Sequence, residues 1–139
     1  MRPLKLMWLP DGDILWDVVT ESSLTEEILP RLTPQLRQAL NAWSKRFARE
    51  YERWLCDNSA AVIEVSGPLV SHGRSLASRI HDETGAPTYY WFDVDRTVNP
   101  RIRWKTCPLC HKSVARVQAW DRKNRYRCHR CGLVFPEPG

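Results

Sequence analysis

Four of the five cysteines stand in two short pairs, Cys107-Pro-Leu-Cys110 and Cys128-His-Arg-Cys131, with 17 residues between them. No other feature limits the possible folds so strongly. A Cys-x-x-Cys turn sets two sulfurs on one side of a point. A second pair, returned by a hairpin, sets two more on the other side, giving the tetrahedral thiolate cage that Zn²⁺ takes at about 2.3 Å. Pro108 fixes φ inside the first turn, and Gly132 admits the positive φ with which a chain often leaves the second. Cys107, Cys110, Cys128 and Cys131 are therefore read as the ligands of one structural Zn²⁺. Four thiolates close the coordination sphere and leave no position for a catalytic water. A cysteine module this small buries too little core to fold unaided, and metal binding is expected to supply roughly 10–16 kcal/mol.

Other chemistries compete for the same residues. Iron also fits a four-sulfur tetrahedron. Cys107 and Cys110 alone could form a redox pair, and His111 or His129 could replace one thiolate; the second pair and the full set of four cysteines weigh against both. Cys56 stands apart near Trp54 and reads as a buried structural thiol. His72 and His81 are nine residues apart, on opposite sides of a helix, so they form no metal pair. No carboxylate pair, Ser/His/Asp order or phosphate-cradling Gly loop stands out. No catalytic residue, enzymatic activity or small-molecule substrate is expected.

Charge divides the chain at about the same place. Residues 101–139 hold 10 Lys and Arg against 2 acids, a net +8, while residues 1–100 hold 11 against 14, a net −3. Such a break suggests two units with different work. The 139 residues are 42% apolar and 27% charged, a globular balance. The longest apolar runs are four residues, against the roughly 20 of a membrane span. Pro10-Asp-Gly-Asp13 interrupts the N-terminal apolar stretch before it reaches the roughly 7–15 residues of a secretory h-region. A cytoplasmic protein without a membrane partner is expected, which favours metal over disulfides at the cysteine pairs.

Hydrophobic periodicity predicts an α+β fold. Leu4, Leu6 and Trp8 alternate, as do Ile14, Trp16 and Val18, and the polar turn between them makes a hairpin. A short helical turn fits residues 26–29. Thr33-Pro34 reads as an N-cap followed by proline at the first helical position. Beyond it Leu36, Leu40, Trp43, Phe47, Tyr51 and Trp54 form one apolar stripe of a long helix, with Gln38, Lys45, Arg49 and Glu52 opposite. Pro68 opens a second helix bearing Leu69, Leu76 and Ile80; Gly85 caps it and Pro87 stops it. Residues 88–94, aromatic and β-branched, read as a buried strand. The expected organisation is a ββααβ domain over 1–95, two helices on a small sheet, a linker over 96–103 and a four-cysteine zinc ribbon over 104–139. In the ribbon, strands over 113–120 and 125–128 flank a turn, and 133–135 make a third.

The ribbon's hairpin gathers Trp120, Arg122, Lys123, Arg125, Tyr126 and Arg127, with Arg116 and Arg130 nearby. Such a patch attracts phosphates, and its aromatic rings can stack on bases, so these eight residues are the candidate nucleic-acid contacts, to DNA or RNA. A competing reading has Trp120 and Tyr126 pack the ribbon's own core while the arginines keep it soluble. The many aromatics of the N-terminal unit offer a surface to a protein partner.

Some of these residues resemble known groups. Gly73-Arg-Ser-Leu-Ala-Ser-Arg-Ile80, Thr84-Gly-Ala-Pro-Thr-Tyr-Tyr90 and the two cysteine knuckles resemble an uncharacterised bacterial family described as Zn-ribbon-containing and nucleic-acid-binding. The resemblance covers residues 70–135 and implies zinc at the four cysteines. The helix running from Leu32-Thr-Pro-Gln-Leu36 through Trp43 is similar to small actinobacterial proteins, some of them immunity-like or accessory. Arg125-Tyr-Arg-Cys-His-Arg-Cys-Gly132 is similar to the second knuckle of transposase-type zinc ribbons, which contact DNA. The expected function is a non-enzymatic nucleic-acid-binding or regulatory adaptor. The alternative is a protein-interaction module, immunity- or antitoxin-like or docking on transcription or translation machinery, with a purely structural zinc.

Overall fold

The computed structural model describes residues 2–58, 61–93, 105–120 and 122–136, with Arg122 described in its backbone only. It is an α+β fold with three α-helices and a mixed six-stranded sheet. The elements are β1 (Leu4–Leu6), β2 (Leu15–Asp17), α1 (Thr25–Ile28), α2 (Pro34–Asp57), α3 (Pro68–Thr84), β3 (Thr88–Trp91), β4 (Ala115–Arg116), β5 (Tyr126–Cys128) and β6 (Leu133–Phe135). Single 3₁₀ turns lie at Leu29–Arg31 and Arg122–Asn124.

The two long helices begin and end where side-chain chemistry places their caps. Thr33 Oγ1 accepts the Leu36 N–H ahead of Pro34, so an orphan donor of the first turn is satisfied and the proline loses no bond. α2 ends at Asn58 and α3 at Gly85, both left-handed. Of the α2 stripe, Leu36, Leu40 and Trp43 are buried, whereas Phe47, Tyr51 and Trp54 are half-buried because the last turns run past the sheet. Cys56, two residues beyond Trp54 and so on the opposite side of α2 from the stripe, is exposed and not the buried thiol expected. Residues 61–66 form turns and no strand.

The strand order is β2-β1-β3-β6-β5-β4. β1 and β2 form the antiparallel hairpin, with Lys5 opposite Trp16. β3 then pairs in parallel with β1 on one side and β6 on the other, in the register Tyr90 to Leu133 and Trp91 to Val134. Strands from the 1–95 and 104–139 segments thus lie in one sheet. The expected linker, 96–103, and Val94 lie outside the described residues.

Period-two alternation sorts the sheet into two faces. Leu4, Leu6, Leu15, Tyr90, Leu133 and Phe135 meet Leu36, Leu40, Trp43, Leu76 and Ile80 of the helices in one core. Trp43 donates its indole N–H to Leu69 O (3.2 Å) and meets the Tyr90 ring edge-on at 6.0 Å. On the second face lies a fully buried cation, Lys5. Its Nζ bonds Asn124 Oδ1 (2.8 Å) and pairs with the Glu21 carboxylate (2.7 Å), while Asn124 donates to Val18 O (2.9 Å). The bonds of Asn124 tie the segment after β4 to the N-terminal hairpin. Unpairing a buried charge typically costs about 3–5 kcal/mol, so this clamp is a structural tie and not a surface ion pair.

Gly73 sets the helix-to-sheet distance. A Cβ there would lie 2.6 Å from Tyr90 Cδ2 and 3.2 Å from Trp43 Nε1. The Gly73→Ala variant gains at most about 1 kcal/mol of helix propensity and loses about 1–3 kcal/mol to overpacking. Its urea midpoint is expected below that of the parent; an unchanged or higher midpoint would show that α3 is free to move off the sheet.

Candidate metal centre

Each cysteine pair sits at the tip of a backbone turn. At the first, Cys107 N–H donates to Lys112 O and His111 N–H to Cys107 O, both at 2.9 Å. The second is the β5–β6 connection. The residue after each pair is left-handed, His111 at φ 62° and Gly132 at φ 66°. The two turns are conformational copies, although only Gly132 carries the sequence signal for it.

The four Sγ atoms lie within 4.8 Å of one another. Cys110 Sγ and Cys128 Sγ are 3.8 Å apart. A disulfide needs about 2.05 Å, whereas a tetrahedron of sulfurs about 2.3 Å from a central ion has an edge of about 3.8 Å. The spacing therefore fits a shared metal ion. All four cysteines are unbridged, and among the described residues no histidine joins the cluster. His129 Nδ1 lies 3.3 Å from the Tyr89 hydroxyl, and His111 is exposed.

The four thiols do not share one environment. Burial pushes Cys107 far above the ordinary thiol value, and burial raises Cys131 to about 11. Cys110 falls to about 7, chiefly because the Lys112 N–H donates to its sulfur. Lys112, which the sequence reading passed over, thus helps to define the centre, and it had no motif to mark it.

The proposed nucleic-acid contacts are scattered among three environments. Arg116, Lys123 and Arg130 are exposed. Arg125 and Arg127 are half-buried, and Arg127 lies over the Trp120 ring at 5.2 Å. Trp120 itself is half-buried and meets Tyr89 edge-on at 6.0 Å. Tyr126 is only 1% exposed and stacks on Phe135 at 5.8 Å, so its ring belongs to the core and is not offered to a base. The side chain of Arg122 lies outside the described residues. Beside the sulfurs runs a groove of about 530 Å³ lined by Lys112, Arg116, Arg127 and Arg130 among others, and by no Asp or Glu among the described residues.

Comparison with known proteins adds relatives without assigned roles. Over 115 residues the chain is 31% identical to two Haemophilus influenzae proteins, each named only as an uncharacterized protein. The alignments take 73% of this chain and 53% and 41% of the relatives. The chain spans about half the length of the curated relatives it matches. No family model matches it, and no solved structure matches it. Among the described residues no helix is long and apolar enough to cross a membrane.

Two outcomes follow from this geometry. Metal binding must displace protons from Cys107 and Cys131, whose thiols burial holds protonated. Affinity for Zn²⁺ is expected to rise with pH through neutrality, about tenfold per pH unit for each proton displaced; chelator competition at several pH values measures it, and a flat profile would contradict the site. Relieving the left-handed strain in His111→Gly is expected to add about 1 kcal/mol of stability, read by denaturant unfolding of the zinc-loaded protein.

Proposed function

We propose that this chain is a non-enzymatic adaptor in which a structural zinc ion, held by Cys107, Cys110, Cys128 and Cys131, shapes a basic surface that contacts nucleic acid. The observation that carries the metal reading is the clustering of the four sulfurs within 4.8 Å of one another, one pair of them at the 3.8 Å edge of a zinc tetrahedron. The donor set favours zinc: four thiolates suit a closed, redox-inert tetrahedral ion. Bound there, the ion supplies cross-linking and no chemistry on a substrate. The ligating turns and the hairpin between them make a zinc ribbon that completes the sheet edge, a reading to which the resemblance of residues 70–135 adds weight.

Support for nucleic-acid contact comes from charge. Four thiolates and a divalent ion carry −2, so the segment over 101–139 retains about +6. The groove beside the centre joins Lys112, Arg116, Arg127 and Arg130, with no Asp or Glu among its described lining residues, and a positively charged groove is what tracks a nucleic-acid backbone. Trp120, half-exposed above Arg127, is the remaining ring for a base. A cytoplasmic setting belongs to the same reading.

A second reading, a protein-interaction module, is favoured by one observation at the opposite end. Trp8, Phe47, Tyr51 and Trp54 surround an aromatic groove of about 210 Å³, with Trp8 stacked on Phe47 at 4.9 Å. Binding of a protein with no retention of DNA or RNA at low salt would favour it.

The metal assignment is tested by Cys128→Ser. Bound zinc is expected to fall below one equivalent, and unfolding should shift for the whole chain because β6 pairs with β3. Full zinc content in that variant would overturn the ligand set. The nucleic-acid reading is tested by replacing Lys112, Arg116 and Arg127 together with Gln. Zinc should stay bound, affinity should fall, and the slope of log K against log salt should flatten by up to about 3. Equal affinity and an equal slope would remove this surface from the function.

A further inference from the structure

On the far side of the second cysteine turn from the hairpin, α3 and the sheet enclose a cleft of about 610 Å³. That volume lies inside the roughly 300–1,000 Å³ of small-molecule sites and exceeds what a lone inorganic anion fills. One wall is the outer face of α3, where Arg74, Ser78 and His81 follow at i, i+4 and i+7 with Ser75 beside them. The opposite wall is the second turn, with Arg130 and Gly132. Among the described residues lining the cleft there is no Asp or Glu. Two acids follow His81 on α3: Glu83 is engaged elsewhere, accepting from Thr33 N (2.7 Å) and Thr33 Oγ1 (2.9 Å), and Asp82, exposed one turn beyond Ser78, lies at the end of the wall without lining the cleft. Arg74 is held in place: its Nε donates to Cys131 O at 2.7 Å, which fixes the guanidinium at the cleft wall.

We infer that this cleft binds a phosphoryl group carried on a nucleotide. Two guanidinium forks and two hydroxyls offer more donors than the two oxygens of a carboxylate can use, and they match the three outer oxygens of a phosphate monoester. Arg74 and Arg130 supply the charge, while Ser75 and Ser78 supply hydrogen bonds that need no charge. The remaining volume accepts the sugar and base. The cleft meets the groove that carries the nucleic-acid reading at His129 and Arg130, which line both, whereas Arg74, Ser75 and Ser78 line the cleft and not the groove; it rests on that reading only for whether the phosphate belongs to a strand end or to a free nucleotide.

The test uses the zinc-loaded full chain labelled with ¹⁵N. Inorganic phosphate and thymidine 5′-monophosphate are each titrated while the amides of Ser75, Ser78 and Gly132 are followed. Shifts are expected at these amides, with a Kd for the nucleotide on the order of 1 mM or tighter. Ser78→Asp and Ser75→Asp, each of which places an anion in the cleft and leaves the groove unchanged, should each weaken binding about tenfold with zinc content unchanged, whereas Lys45→Gln on the outer face of α2 should not. Oligothymidylates with and without a 5′-phosphate then identify the carrier. Tighter binding of the phosphorylated strand, lost in Ser78→Asp, assigns the cleft to a strand end. Nucleotide binding with no binding of either strand supports the cleft and overturns the nucleic-acid reading. Strand binding with no response of the cleft amides to phosphate or nucleotide overturns the cleft alone, its arginines then serving only as counter-charges to the thiolates. Silence of every probe overturns both.

Discussion

The parallel pairing of β3 with β6 is the constraint on which the rest of this molecule depends. β3 is flanked on both sides, by β1 and by β6, so its Tyr90 and Phe92 are covered by the helices while its backbone donors are spent on Gly132 O and Val134 O. Remove β6 and those buried groups lose their partners, a penalty of about 1–3 kcal/mol each. The second cysteine turn, which joins β5 to β6, is therefore part of the sheet's interior. A loss at the sulfurs reaches the aromatic core through a few hydrogen bonds.

The second sheet face shows how the same coupling is made with polar groups. Lys5 could not be buried alone; Glu21 and Asn124 reach it from opposite ends of the chain. Trp91 adds its ring at 5.8 Å from Nζ and donates its own N–H to Lys123 O at 2.8 Å. Cation, carboxylate, amide and ring surround a fully buried Nζ, with the Glu21 carboxylate reaching it from a partly exposed position. Arg127 between Tyr89 and Trp120 repeats the device nearer the surface.

Local chemistry made much of this readable in the residues. The Thr33 cap, the Pro34 and Pro68 starts, the Gly85 stop, the α2 stripe as far as Trp43 and the cysteine spacing all act over a few positions, and all have their structural counterparts. What could not be read depends on distance along the chain. The aromatic and β-branched run over residues 88–94 marks a buried strand but names neither neighbour. Lys5 looks like a solvated charge until Asn124, 119 positions later, is brought to it. The residues around Tyr126 leave base stacking and core packing both open, and its place opposite Phe135 in the strand ladder decides for the core. The cleft between α3 and the second turn has no motif, because its two walls are about fifty residues apart.

The strand order also governs the moment at which this protein can become itself on the ribosome. β1 is made first, but its central partner, β3, is about eighty residues away, and β6 arrives later still. Until then the nascent hairpin shows an open edge and bare leucines to whatever surrounds it, and contacts of such long sequence separation close slowly. The order of synthesis thus leaves that edge unpaired until β3 has been made.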